Sequence, residues 1–202
     1  MRTCFTITLM LALMVFLAGL ALNPQSRHAG FPSATQESDI VTGALGAPEV
    51  ARPSTTWVVD QTVSPINDTT NVDLNISSEH PVPAKLGGAL YLKLAIRCRE
   101  GKTSLAVNFG DHFMASSRYG DWGKVTYRVD RLAAVEARWV HSPDNAELMI
   151  EGPPAIELSA AMISARNFLI RAVPFGEKPL TATFNIRGLE DAIAPLRTAC
   201  VW

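Results

Sequence analysis

Cysteine is scarce in this chain, three residues in 202, and Cys4 borders an apolar N-terminal run, so only Cys98 and Cys200 remain to be accounted for. Charge excess is absent: 18 Lys and Arg stand against 19 Asp and Glu, with no basic stripe. That excludes the electrostatic footprint of a nucleic-acid binder. Aromatic residues are few, 7% of the chain. No Gly-x-Ser-x-Gly elbow marks a hydrolase nucleophile, and no self-similarity at 20–50 residues marks a repeat array. No long apolar run occurs beyond the N-terminus, and no cysteine directly follows that run, which argues against a lipid-anchored lipoprotein.

What is present begins with residues 5–22 (FTITLMLALMVFLAGLAL), preceded by Arg2. A basic start and an apolar core read as an export signal, and Gly19-Leu20-Ala21 offers a small-residue cleavage site. The run is also just long enough to span a bilayer, so a cleaved signal peptide and an uncleaved anchor both stand. Export places the mature protein in the periplasm or outside the cell, where a cysteine pair reads as a disulfide. A Cys98–Cys200 bridge would close a loop of about a hundred residues, worth roughly 4–5 kcal/mol.

Residues 23–55 are rich in Ala, Pro, Ser, Gly and Thr and carry no sustained period. Such a stretch buries too little apolar surface to offset its ordering entropy, so it reads as a flexible tether. Residues 56–202 remain as a single domain, a size that supports a proper core.

Within it, Asn71–Ser77 alternates apolar and polar residues and predicts a half-buried strand. Leu90–Cys98 and Thr103–Phe109, joined by Arg99-Glu100-Gly101-Lys102, predict a hairpin. Leu92, Leu94, Ile96 and Cys98 then share the core face. Strands are expected at Lys124–Asp130, Val135–Val140, Ala146–Ile150, Phe168–Val173 and Leu180–Ile186. Pro153-Pro154 opens a predicted helix over Ala155–Arg166. Leu189, Ile193, Leu196 and Cys200 form a helical stripe, with Pro195 expected to kink or shorten that terminal helix. The order predicts an α+β fold: an antiparallel, sandwich-like sheet with helices near the C-terminus and one disulfide.

Candidate chemistry is sparse. Asp111-His112 has the residue types for metal or acid–base work, but neighbours on an extended chain point apart, so a solvated loop is expected. His141, Ser142 and Asp144 carry triad residue types within one turn, where a triad seldom forms; a backbone-bonded turn is expected. Asn67–Asp73 alternates oxygen-bearing side chains but lacks the EF-hand Gly and Glu, so Asp68 is expected to close an Asx turn. Neither His112 nor His141 has a partner at usable spacing, and no catalytic residue, metal or cofactor is assigned. Trp57, Trp139 and Trp202 are expected to pack in or over the core. Trp122 differs: with Tyr119 it lies in a Gly-rich polar loop, and exposed aromatics anchor partner surfaces. Tyr119, Trp122 and the preceding Phe113 are the expected partner contacts.

Trp57, Ser64-Pro65-Ile66-Asn67-Asp68, Leu92-x-Leu94-x-x-Arg97-Cys98 with Thr103, and Trp139-x-x-Ser142-x-Asp144 recur in one order with the Pro174-Phe175-Gly176 loop. The ending Phe184-x-x-x-Gly188-Leu189-x-x-Ala192-x-x-Pro195-Leu196-x-x-x-Cys200-x-Trp202 follows. Over residues 57–202 the chain resembles the VasI/TagO-type periplasmic proteins associated with type VI secretion systems. The resemblance implies an exported accessory protein, not an enzyme, whose partner is an envelope or secretion-apparatus protein. A secreted hydrolase or effector, and a small-ligand or glycan-binding module, are the alternatives.

Overall fold

The computed structural model of the protein describes residues 56–114 and 122–202. Twelve strands and three helices are present among them: β1 Val58–Val63, β2 Thr70–Ser77, β3 Val82–Pro83, β4 Ala89–Leu90, β5 Lys93–Arg99, β6 Lys102–Asn108, β7 Lys124–Val129, β8 Val135–Arg138, β9 Val140–His141, β10 Glu147–Glu151, α1 Pro153–Met162, β11 Asn167–Ala172, β12 Leu180–Asn185, α2 Leu189–Ala192 and α3 Ala194–Cys200. The larger sheet runs β1-β2-β5-β6-β10-β9 and the smaller one β12-β11-β7-β8, while β3 and β4 form a separate ribbon. All pairings are antiparallel. The α+β reading holds.

Period-two alternation explains the layering. Val72, Leu74 and Ile76 of β2, Leu94, Ile96 and Cys98 of β5, and Leu105 and Val107 of β6 are all buried. They pair in register, Leu74 with Ile96 and Ile96 with Leu105. From the smaller sheet come Val125, Val129, Phe168, Ile170, Ala182 and Phe184, and one hydrophobic cluster joins both sets. Burying each large side chain of this kind contributes roughly 1.5–3 kcal/mol relative to exposure. Helix α1 packs on β6 and β10, and α3 on β2 and β5.

Trp139 marks where the chain crosses between sheets, since β8 belongs to the smaller and β9 to the larger. It is buried, and its ring meets Tyr127 at 6.0 Å. Its N–H donates to the Gly123 carbonyl at 2.7 Å. A Cβ at Gly123 would lie 2.1 Å from the Trp139 oxygen, and the backbone there has φ +70°. Only glycine tolerates both demands.

Sequence and structure part at β1 and over Val135–Val140, where Trp139 divides the expected strand between two sheets; the terminal helix breaks at Pro195 as expected. The β1 strand has no core-facing alternation, because all six residues are exposed. The terminal helix is two short helices, α2 and α3, with Pro195 in the first turn of the second. Proline lacks the N–H that a continuous helix needs at that position, so the break falls just before it. The apolar stripe survives: Leu189, Ile193 and Leu196 are buried, and Cys200 is partly covered.

Candidate interaction surface

Strand β6 connects two differently built ends of the domain. At its start, Thr103 pairs with Cys98, which is bonded to Cys200 with a Cα–Cα distance of 5.7 Å. Trp202 donates its indole N–H to the Thr103 hydroxyl at 2.9 Å. The last turn of the chain is thus fastened to the central hairpin by a covalent bond and a hydrogen bond.

At the other end, β6 continues into Phe109–Met114. The Phe109 and Met114 amides donate to the carbonyls of Ala146 and Asn145, both at 2.8 Å, and their side chains are buried. His112 between them is 3% exposed. Its Nδ1 lies 2.7 Å from Glu177 Oε2 and its Nε2 lies 3.0 Å from the Pro83 carbonyl. A carbonyl only accepts, so Nε2–H donates to Pro83 and Nδ1 faces the carboxyl group. Asp111 accepts from the Leu86 amide at 3.2 Å. Desolvation works against the Asp111 charge, but the amides of Lys85 and Leu86 outweigh it and hold the carboxyl below its ordinary range. Three segments distant in sequence, 83–86, 111–113 and 175–177, therefore meet on one imidazole. The expected solvated loop is corrected for His112. Its partner, Glu177, is 65 residues away, beyond the reach of any spacing rule.

This clamp displays apolar surface. Phe113 and Phe175 are each 41% exposed, meet edge to face at 6.3 Å, and are tied by the Phe175 amide donating to the Phe113 carbonyl at 2.8 Å. Leu86, whose amide bonds Asp111, is 91% exposed. Trp122 is 43% exposed, under the Arg138 guanidinium at 5.4 Å. Val125 pairs with Ala172, so Trp122 and Val173 leave the same end of the smaller sheet, the end that leads to Phe175. Of the expected contacts, Phe113 and Trp122 are exposed; Tyr119 lies outside the described residues. Phe175 and Leu86 were missed. Phe175 follows a strand end in a Pro-Phe-Gly turn, a signal that reads as a turn without saying which way the ring points.

The remaining candidates resolve into local structure. Ser142 donates its hydroxyl to Asp144, whose carboxyl is lowered by that bond first and by the Ala146 amide next. The His141 ring faces the Ser142 carbonyl at 3.1 Å, not the hydroxyl. This is the expected turn. In the 67–73 stretch the Asx-type acceptor is Asn67, taking the Thr69 amide at 3.3 Å, in place of the expected Asp68. Asp68 instead adopts φ 53°, where Asp is tolerated. Among the described residues no group of His, Cys, Asp and Glu is arranged to hold a metal.

The outer face of the larger sheet carries one charged network that sequence reading missed. Arg97 donates to both oxygens of Glu147 at 2.7 and 2.8 Å, and Asn108 donates to Glu147 at 3.3 Å. The hydrogen bond from Arg97 is the main reason the Glu147 carboxyl is lowered. All three residues occupy outward positions, so alternation marked the face but not the pairing.

A family model described as type VI secretion system VasI, EvfG, VC_A0118 matches residues 51–202. No curated protein matches. Among solved structures, invasion associated protein B from Bartonella henselae is similar at a TM-score of 0.44 and 14% identity, covering 73% of this chain and 97% of that one. The family match spans most of the chain and includes both bridged cysteines and the whole described fold: the protein belongs to the VasI family of type VI secretion-associated proteins.

Proposed function

We propose that this protein is an exported, non-catalytic accessory component of a type VI secretion system. It is held in the envelope by residues 5–22 or released after their removal, with residues 23–55 as a tether. It acts by binding an envelope or secretion-apparatus protein through the aromatic end. The observation that carries this reading is the edge-to-face contact of half-exposed Phe113 and Phe175 beside buried His112, with half-exposed Trp122 leaving the same end of the smaller sheet as Val173. Large rings on a fixed support lose little entropy on binding and anchor partner surfaces. The geometry of His141, Ser142 and Asp144 supports the absence of hydrolysis, because the imidazole does not address the hydroxyl.

The test is paired: co-purification of envelope proteins and thermal unfolding of Phe175→Ala and Trp122→Ala. Each substitution is expected to weaken capture by on the order of tenfold or more while Tm moves by only a few degrees. Undiminished capture by both variants would remove this end from the binding surface. A large loss of Tm would show that the rings serve the core.

A further inference from the structure

We propose that β1 is a self-pairing edge, through which two copies of this chain join their larger sheets into one. Strand edges are templates for pairing, and proteins blunt them with short strands, charge, proline or a covering segment. The other described edges show those devices. Strand β9 has two residues. Strand β8 has four, with Glu136 held by Lys124 at 3.1 Å and Arg138 stacked over Trp122. In β12, the Thr183 carbonyl accepts the Glu79 amide at 2.8 Å. Among the described residues, strand β1 is neither short nor covered. It has six residues, VVDQTV, all exposed, with a single charge and no proline. Val59 is 36% exposed and Val63 63%.

The occupant follows from symmetry. Two antiparallel copies of one strand related by a twofold axis must place a residue opposite itself, because facing residues share a side of the sheet. Centring on Asp60 would oppose two carboxylates. Centring on Gln61 opposes two amides, which pair with each other. Asp60 then faces Thr62 of the second copy, a carboxylate against a hydroxyl. Val59 faces Val63, bringing together two of the three exposed valines of each copy. Val59, Gln61 and Val63 share one side of the sheet, because β1 pairs them with Leu74, Val72 and Thr70 of β2. No like charges meet, so a second copy of this chain is the occupant this strand fits.

The experiment uses the detergent-solubilised full chain carrying Cys4→Ser, so that the only free thiol is the one introduced. Gln61→Cys places two thiols at the axis, where opposed Cα atoms lie about 4.5–5.5 Å apart, inside the disulfide range of about 4.4–6.8 Å. Mild oxidation is expected to give covalent dimer. Val59→Cys or Val63→Cys alone separates its own copies by roughly 13 Å and is expected to give little, whereas mixing the two gives heterodimer. Sedimentation then reads the sign of charge at position 62. Thr62→Asp, facing Asp60, is expected to weaken dimerisation about tenfold, and Thr62→Lys to strengthen it. These positions are exposed, so unfolding temperature should stay constant. A monomeric parent, cross-linking equal at all three positions, a dimer indifferent to charge at position 62, or Gln61→Cys capturing a different protein in the native envelope would each overturn the proposal.

Discussion

The two ends of β6 hold the domain together by different means. At the Thr103 end, the Cys98–Cys200 bond and the Trp202 indole fix the chain terminus, and Trp202 packs against the core while Val201 is exposed. At the Phe109 end, no covalent bond is present among the described residues; a buried imidazole bridges a carbonyl and a carboxyl group, and the rings around it face outward. A disulfide acts chiefly on the unfolded state, by limiting how far the chain can spread. The His112–Glu177 clamp acts on the folded state, by setting the positions of three loops that would otherwise be independent. The covalent fastening and the exposed ring pair thus fall at opposite ends of one strand.

The strongest way to break this comparison is Cys200→Ser. With the cysteines 102 positions apart, unfolding free energy should fall by about 4 kcal/mol, measured by denaturant titration. Hydrogen exchange at Phe109–Met114 should stay near the parent pattern once corrected for global stability. Local loosening there would show that the two ends are not separate.

Glu177→Ala should cost less, about 2 kcal/mol, because it strips a buried imidazole nitrogen of its partner. Exchange should quicken at residues 83–86 and 111–113 while Trp202 fluorescence stays unchanged. His141→Ala is the contrast: its ring bonds only within its own turn, and a surface change of that kind stays within about 0.5 kcal/mol. Equal losses for the two variants would erase the distinction drawn between these histidines.

A smaller effect than that of Glu177→Ala lies between the ends, at Glu147. Its carboxyl is held below the ordinary 4.5 by the Arg97 hydrogen bond. A lowered folded-state pKa stabilises above the unfolded value, and that contribution disappears as pH falls through the lowered one. Stability should therefore decline below about pH 4.5, less steeply in Glu147→Gln. The two side chains keep 18% and 12% of their exposure, and the difference should be on the order of 1 kcal/mol. Superimposable acid limbs would show that Arg97 and Glu147 gain nothing from each other.

Much of the fold was legible because its signals are local. Alternation over Asn71–Ser77 and Leu90–Phe109 names the core face directly, and Gly101 at φ 71° closes the hairpin where expected. Pro153-Pro154 starts α1, and Pro195 divides the terminal helix by the loss of one N–H. Strand β1 was not legible. Its valines follow no single face, and it forms because β2 offers a register, not because its own pattern demands a strand.

By itself the sequence determined the cysteine pair and the antiparallel strands with late helices. These depend on neighbours a few residues apart or, for the cysteines, on there being no other partner within residues 56–202. Only the tertiary structure decided that His112 is buried against Glu177, that Phe113 and Phe175 meet, and that Arg97 grips Glu147. Those contacts join strands and loops 50 or more residues apart. Which of many equally polar or aromatic side chains become neighbours is set by strand order and register, and no local spacing encodes that.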